Sequence, residues 1–265
     1  MAERVIVVIQ ARLGSTRLPG KALAEIGGRP MLAHVVERAR AIPGIAGLVI
    51  ATTVSPTDDA LVAFAKQAGA ACIRGHEADV LDRFCLAARE TKADAVVRVT
   101  ADCPLLDPEV SGRVLAEYLQ RRPAVDYVSN VHPPTYPDGL DTEVVSVAAL
   151  ETAARETQRP SDREHVTPYV WGRPERFRAA NVAHDEDLSF HRWTVDAESD
   201  LAFVRAVWAA LGPSAPRAGM PEVLKALAKH PGLRDLNAGI RRNEGYERSL
   251  AAERQAVTDA KRTTS

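Results

Sequence analysis

VIVVIQARLGSTRLPGK, residues 5–21, is the stretch that decides the fold. Five apolar residues, Val5 to Ile9, run directly into Gln10. The loop that follows carries three cations (Arg12, Arg17, Lys21), two hydroxyls (Ser15, Thr16) and two glycines (Gly14, Gly20). A buried strand ending in such a loop predicts an anion site. Glycines let the backbone approach, amides donate, and Arg and Lys neutralise charge. The anion that suits it is a nucleotide triphosphate.

Two familiar phosphate loops are excluded by spacing. A P-loop needs four residues between its first glycine and Gly-Lys, then Ser or Thr. Here Leu18 and Pro19 belong to a gap one residue too long between Gly14 and Gly20-Lys21, and Ala22 follows the lysine. A GxGxxG fingerprint is also missing, which argues against nicotinamide or flavin.

Outward from the loop, strand and helix patterns alternate. Pro30–Ile42 predicts a helix, with Met31, Leu32, Val35, Val36, Ala39 and Ile42 on one face. Leu48–Thr52 predicts a strand, and Ser55-Pro56 opens a helix with Asp58 and Asp59 in its first turn. Ala70–Ile73 predicts a strand, Val80–Arg89 a helix and Ala95–Val99 a strand. Asp107-Pro108 is an N-cap followed by proline at the first helical position. The rhythm predicts an α/β fold: a mainly parallel Rossmann-like sheet with helices on both faces.

Near Asp126 the rhythm breaks. Residues 126–195 read as an insertion with antiparallel pairing and as the expected surface of a homodimer. It holds a strand over Thr142–Val147, a helix over Val147–Glu156, a capping box at Ser161-Asp162-Arg163-Glu164, and strands over Phe177–Val182 and His191–Val195. Leu201, Val204, Val207, Trp208 and Leu211 mark a helix returning to the core. The expected organisation is one domain over 1–246 and a polar tail over 247–265 with no chemistry.

Composition narrows the classes. With 46% apolar and 26% charged residues the chain can bury a substantial core. A net charge of −1 gives no argument for nucleic acid or a membrane surface, and no apolar stretch is long enough to span a bilayer. Three widely spaced cysteines suggest neither disulfides nor zinc. With no signal peptide in view, the expected setting is the cytoplasm.

The opening stretch resembles the N-terminal signature of the cytidylyltransferases that make CMP-activated sugar acids, the CMP-Kdo and CMP-acylneuraminate synthetase family. Ile9-Gln10-Ala11-Arg12-Leu13-Gly14-Ser15-Thr16-Arg17-Leu18-Pro19-Gly20-Lys21 is similar to its pattern [IP]-x-A-R-x-x-S-x-R-L-P-x-K. Ile26 to Val35 resembles the family's segment into the first helix. Gln10 departs from the usual proline, and with Asp138-Gly139-Leu140-Asp141-Thr142-Glu143 it looks closer to the spore coat polysaccharide biosynthesis branch, SpsF. The likeness covers roughly residues 4–210. It implies that Arg12, Ser15, Arg17 and Lys21 contact the triphosphate of CTP, with Ala11, Gly14 and Thr100 completing the nucleotide site.

Acids at strand ends face the ligand crevice of such a sheet. Asp102, in Arg98-Val99-Thr100-Ala101-Asp102-Cys103-Pro104, resembles the family's metal-binding G-D-x-P aspartate, with Ala101 for glycine. Asp196, in His191-Arg192-Trp193-Thr194-Val195-Asp196, resembles its second metal-holding aspartate, without the usual Thr-Pro. Two aspartates and phosphate oxygens are ligands Mg²⁺ prefers. As plain structure, Asp102 fits a turn and Asp196 a helix cap.

Arg74-Gly75 sits where such enzymes read the base, and Asp82 with Arg83 fits a helix-surface pair. Asn130, Asp141, Glu143, Arg163, Glu164, His165 and Arg192 are candidates for a polyhydroxyl acceptor, Arg163 or Arg192 suiting a sugar carboxylate. His165 fits a helix surface equally well, and His34 reads as structural. The expected reaction is Mg²⁺-dependent transfer of CMP from CTP to a sugar acid of surface polysaccharide, with pyrophosphate leaving. Arg12, Arg17, Lys21 and Asp102 are its expected catalytic residues. A GT-A glycosyltransferase lacks its D-x-D here, because Cys103-Pro104 follows Asp102. A non-catalytic nucleotide binder is the other alternative.

Overall fold

The strand read at the head of the chain forms as β1 (Val5–Gln10). Its alternation sets up the molecule. Val5, Val7 and Ile9 enter one core, and Ile6 and Val8 enter another on the opposite face. The structure, a computed structural model, describes residues 3–263.

A two-residue hairpin of β2 (Glu25–Ile26) and β3 (Arg29–Pro30) follows the loop. Then come α1 (Met31–Arg40), β4 (Gly47–Thr53), α2 (Asp59–Gln67), β5 (Ala71–Gly75), α3 (Val80–Thr91), β6 (Ala95–Thr100) and α4 (Pro108–Arg121). Asp107 caps α4 as its sequence requires, accepting from the amides of Glu109 (2.8 Å) and Val110 (3.3 Å). Such a cap contributes about 1 kcal/mol. Ser55 accepts from the Thr57 amide, but the turn it caps is a 3₁₀ turn over Pro56–Asp58 that leads into α2.

The second half contains β7 (Tyr127–Ser129), β8 (Glu143–Ser146), α5 (Val147–Glu156), α6 (Pro160–His165), α7 (Pro168–Trp171) and β9 (Ala179–Asn181). It closes with α8 (Glu198–Leu211), α9 (Met220–Lys229) and α10 (Glu244–Thr263). One sheet of seven strands results, in the order β5-β4-β1-β6-β8-β7-β9. All neighbours run parallel except β8, which is antiparallel to both β6 and β7. The α/β architecture and the antiparallel pairing within 126–195 are therefore as the sequence predicts. Leu32 and Val35 of α1, Leu61 of α2 and Val114 of α4 fill one face, and α3, α5 and α7 cover the other. A third cluster around Trp193, with Leu105 and residues of α8 and α9, underlies the carboxyl end of the sheet.

Three local readings are corrected. His191–Val195 is no strand. Its ladder pairing is limited to one isolated bridge, Asp138 with Arg192, beside which the Val195 amide donates to the Asp102 carbonyl and Gly139 lies against its backbone. A Cβ on Gly139 would stand 2.8 Å from Thr194 N, and its φ is +108°. The capping box at Ser161 is not used either. Ser161 is buried inside α6, and its amide donates instead to Glu253 of α10 at 2.6 Å. Arg83 is buried and donates to the carbonyls of His76 and Glu77, while Asp82 pairs with Arg89.

The expected chemistry-free tail is mostly α10, which begins before residue 247. It packs on α6 through Ser249 on His165 (3.0 Å) and Glu253 on Arg159 (3.1 Å). Among the described residues, no helix is long and apolar enough to cross a membrane.

Candidate active site

β1 has β4 on one side and β6 on the other, both parallel to it, so the connections diverge at its carboxyl end. Such a switch point opens a crevice. Here it is a cavity of about 460 Å³. Gln10 at the end of β1 and Thr100 at the end of β6 form its floor, and they are register partners.

The loop after β1 is held from several sides. The Ala11 amide donates to Ala51 O and the Gly20 amide to Leu13 O, each at 3.0 Å. Ser15 Oγ accepts from the Leu18 amide at 3.3 Å. Gly20 has φ +74°, a left-handed turn that starts the 3₁₀ helix carrying Lys21. The Leu13 amide donates to Asp58 Oδ1 at 2.8 Å. Asp58 is buried, and its other oxygen accepts from both hydroxyls of Thr52 and Thr53 and from the Thr53 amide. Burial pushes this carboxyl up, but the hydrogen bonds outweigh it and hold it below the ordinary carboxylate range. Asp58 is thus the buried anchor of the loop, a role its place in a helix start did not signal.

Lys21 is the centre of the site. Its Nζ lies 2.7 Å from Asp102 Oδ2, 2.8 Å from Asp196 Oδ1 and 2.8 Å from Val195 O. Burial lowers the ammonium's pKa, but the two carboxylates outweigh it and raise it above its ordinary value. Asp102 Oδ1 accepts from the Thr100 hydroxyl at 2.5 Å. Burial raises this acid, and the charge and hydrogen bond of Lys21 more than reverse that. Asp196 also receives Arg17 at 3.0 Å and Arg192 at 3.0 Å. Arg192 in turn holds Asp138 (3.0 Å) and the buried Asp200 (2.9 Å).

Of the residues expected from sequence, Ala11, Arg12, Ser15, Arg17, Lys21, Thr100, Asp102, Asp141, Glu164, His165, Arg192 and Asp196 all line this cavity. Arg12 stands at its mouth, paired with Glu77 at 3.2 Å and Glu164 at 3.6 Å. Burial, with Arg98 next, lowers His165 to about 4, so it is neutral near pH 7 and a weak base there.

Five expected residues lie elsewhere. Gly14 is not part of the cavity wall, and a Cβ on it would approach Glu77 at 3.4 Å. Arg74 turns away to the carbonyls of Thr53 and Ser55 and to Asp59. Arg163 is spent on Asp79 at 2.6 Å and on Ala154 O. Asn130 is fully buried and brackets a turn, donating to Leu140 O and accepting from the Thr142 amide. Glu143 is buried under Arg98 and receives the hydroxyls of Tyr127 and Thr167.

Conversely, Arg98, Asp138, Glu244, Tyr246 and Ser249 line the cavity and were not among the candidates. Asp138 lay inside a quoted motif, but its burial was invisible. That burial, with Asp141 beside it, pushes its pKa up to about 7. The residues of α10 carried no local signal at all.

The comparisons with known proteins agree with this geometry. Residues 6–208 match the family described as Cytidylyltransferase. The chain belongs to the cytidylyltransferase family. The spore coat polysaccharide biosynthesis protein SpsF of Bacillus subtilis is 31% identical over 234 residues, 86% of this chain and 95% of that one. A 3-deoxy-manno-octulosonate cytidylyltransferase of Anaeromyxobacter sp. (strain Fw109-5) is 43% identical over 110 residues, 40% of this chain and 43% of the other. A solved structure of a cytidylyltransferase from Leptospira borgpetersenii superposes with a TM-score of 0.85 at 28% identity. It covers 91% of this chain and all of its own. This cytidylyltransferase is therefore a nucleotidyl-transferring enzyme of the CMP-Kdo and SpsF type, as the resemblance implied. Both the glycosyltransferase and the non-catalytic binder are set aside.

Proposed function

We propose that the protein transfers CMP from CTP to a hydroxyl of a sugar acid destined for surface polysaccharide, with Mg²⁺ as cofactor and pyrophosphate as the second product. The observation that carries this is the convergence of Asp102 and Asp196 on Lys21 beneath the arginine-bearing loop. The names of SpsF and of the 3-deoxy-manno-octulosonate enzyme support the acceptor class.

The donor set suits the metal. Two carboxylate oxygens and the Val195 carbonyl close on one point, and all are hard oxygen ligands. Among the described residues no group of three or more His, Cys, Asp or Glu could hold a metal, so phosphate oxygens of the nucleotide would have to supply the remaining ligands. Asp102 and Asp196 would hold Mg²⁺, which when bound supplies Lewis-acid polarisation of the α-phosphoryl group.

The chain's own residues do the rest. Arg12, Arg17 and Lys21 bind the phosphates and stabilise charge as it grows on the leaving pyrophosphate. Lys21 turns from the two acids toward that group. Thr100 fixes the direction of Asp102, and Arg192 that of Asp196. Asp138, on the cavity wall and held there by Arg192 at 3.0 Å, is the side chain we assign to take the proton of the attacking hydroxyl. Asp141, Glu164 and His165 face the acceptor side. A homodimer formed through 126–195, a cytoplasmic setting and a single domain over 1–246 belong to the same proposal, and light scattering checks the first.

Incubation with CTP, Mg²⁺ and a panel of sugar acids tests the reaction. Pyrophosphate release that requires CTP and a sugar, with no nucleotide-sugar donor, is the expected result. A clear preference for ATP or GTP in a four-nucleotide binding screen would overturn the cytidine assignment.

A further inference from the structure

Glu244 stands where a phosphate is needed. It is the first residue of α10, and its Oε2 lies 3.4 Å from Arg17 Nη1, on the loop that should hold the triphosphate. Arg17 carries a second acid, Asp196, at 3.0 Å. Its charge is thus matched by the protein's own carboxylates. A nucleotide phosphate that uses Arg17 competes with them for its charge.

The two acids are not equally free to leave. Asp196 is fixed by Lys21 and Arg192 as well as by Arg17. Glu244 has one further partner, Arg248, a turn along the same helix at 3.2 Å and itself well exposed. That pair sits at the i,i+4 spacing at which opposite charges attract. Glu244 can therefore give up Arg17 without being left uncompensated. The helix does not depend on the Arg17 contact either. Ser249 on His165, Glu253 on Arg159 and the Ser161 amide, and the Tyr246 ring against His165 and Trp171 hold it in place.

We propose that Glu244 is a built-in competitor for the phosphate site of Arg17, passing to Arg248 when phosphate oxygens take the arginine, and that it sets the affinity for nucleotide. It acts through Arg17 and is a positioning residue. The inference rests on the proposed role of Arg17 in holding the triphosphate of CTP.

Calorimetry with Mg²⁺–CTP, inorganic pyrophosphate and cytidine tests it. A part-exposed ion pair is worth up to about 1 kcal/mol, so Glu244→Gln should tighten CTP and pyrophosphate by about two- to fivefold. The gain should shrink as salt rises, and cytidine binding should stay as it is. Arg248→Ala, which leaves Glu244 only Arg17 but also removes a cation from the cavity wall, should weaken CTP by about twofold, and the double variant separates the two effects. In the double variant the Arg248 effect should vanish. Unchanged or weaker CTP binding by Glu244→Gln, or an equal change for cytidine, overturns the competitor. Failure of the parent protein to bind CTP would instead remove the nucleotide reading beneath it.

Discussion

The Val195 amide donates to the Asp102 carbonyl at 2.8 Å. This one hydrogen bond brings together the ends of two segments that are far apart in the chain, and it places the Asp102 and Asp196 side chains on a common cation. Replacing either acid should therefore act on chemistry before binding. Asp102→Asn and Asp196→Asn should each lower turnover by at least about 100-fold, in the range for losing one preorganised charge partner. CTP binding should persist, because the arginines remain. Turnover within a few-fold of the parent would remove that acid from the metal site.

Lys21→Met deletes the ammonium and leaves two carboxylates facing each other. Turnover should fall by about 100-fold or more, since the leaving pyrophosphate loses its cation. Mg²⁺ alone should then raise the melting temperature of the variant more than that of the parent, by occupying the oxygens that Lys21 has left. Equal shifts would show that these oxygens do not attract the ion.

Asp58→Ala strips four donors of their acceptor, one of them the Leu13 amide that starts the phosphate loop. The cost should be about 1–3 kcal/mol. The melting temperature should drop by several degrees, and KM for CTP should rise with the loosened loop. A fully stable variant with parental KM would mean that the loop is held by its other contacts.

Stability should decline in mild acid. Burial is the first cause of the lowered pKa at His34, His132, His165 and His191, the last two reaching about 4. The unfolded chain takes up these protons near pH 6.5, while the folded one refuses them until lower pH. The contribution is complete above 6.5 and shrinks as pH falls toward 4. Asp58 adds a further loss below its ordinary carboxylate range. Asp138, pushed up to about 7, works in the opposite direction and gains stability as it protonates below that pH. The comparison is therefore made in an Asp138→Asn background, where equal melting temperatures at pH 5 and pH 7.5 would contradict the buried, neutral histidines.

Gly139→Ala should be damaging at a single methyl. Its φ of +108° disfavours any side chain, and the new Cβ would meet Trp193 and Thr194 backbone at 2.8 Å. About 1–3 kcal/mol of strain is expected. Turnover should fall more than in a distant variant of equal stability, because Asp138 and Asp196 flank the displaced contact.

What was legible in the sequence follows from range. The strands of the parallel half are runs of buried apolar residues and need no partner to be recognised, as Val5–Ile9 and Ala95–Val99 show. Asp107-Pro108 and Gly20 act within a few residues of themselves. Arg12, Arg17, Lys21 and Asp102 stand together because a parallel sheet gathers its strand ends on one side, and Asp196 joins them through the Val195 contact with the Asp102 carbonyl. Arg74 and Arg163 misled because an arginine's sequence neighbours do not reveal which carbonyl or carboxylate satisfies it. His191–Val195 is apolar enough for a strand, yet Gly139 turns it into a close backbone crossing. Glu143 looks like a ligand for sugar, but Arg98, Tyr127 and Thr167 consume it. The contribution of α10 was beyond reach, since the contacts that seat it on α6 span 84 to 94 residues and the one to Arg17 spans 227.

That span has a consequence in time. Arg17 and Glu244 are separated by 227 positions, and a ribosome adding about 5–20 residues per second needs roughly 10–45 s to cover them. The arginine loop is thus synthesised well before the helix that closes over it. During that interval a nascent chain would present the cations of this loop, proposed here to bind phosphate, without the wall that α10 supplies.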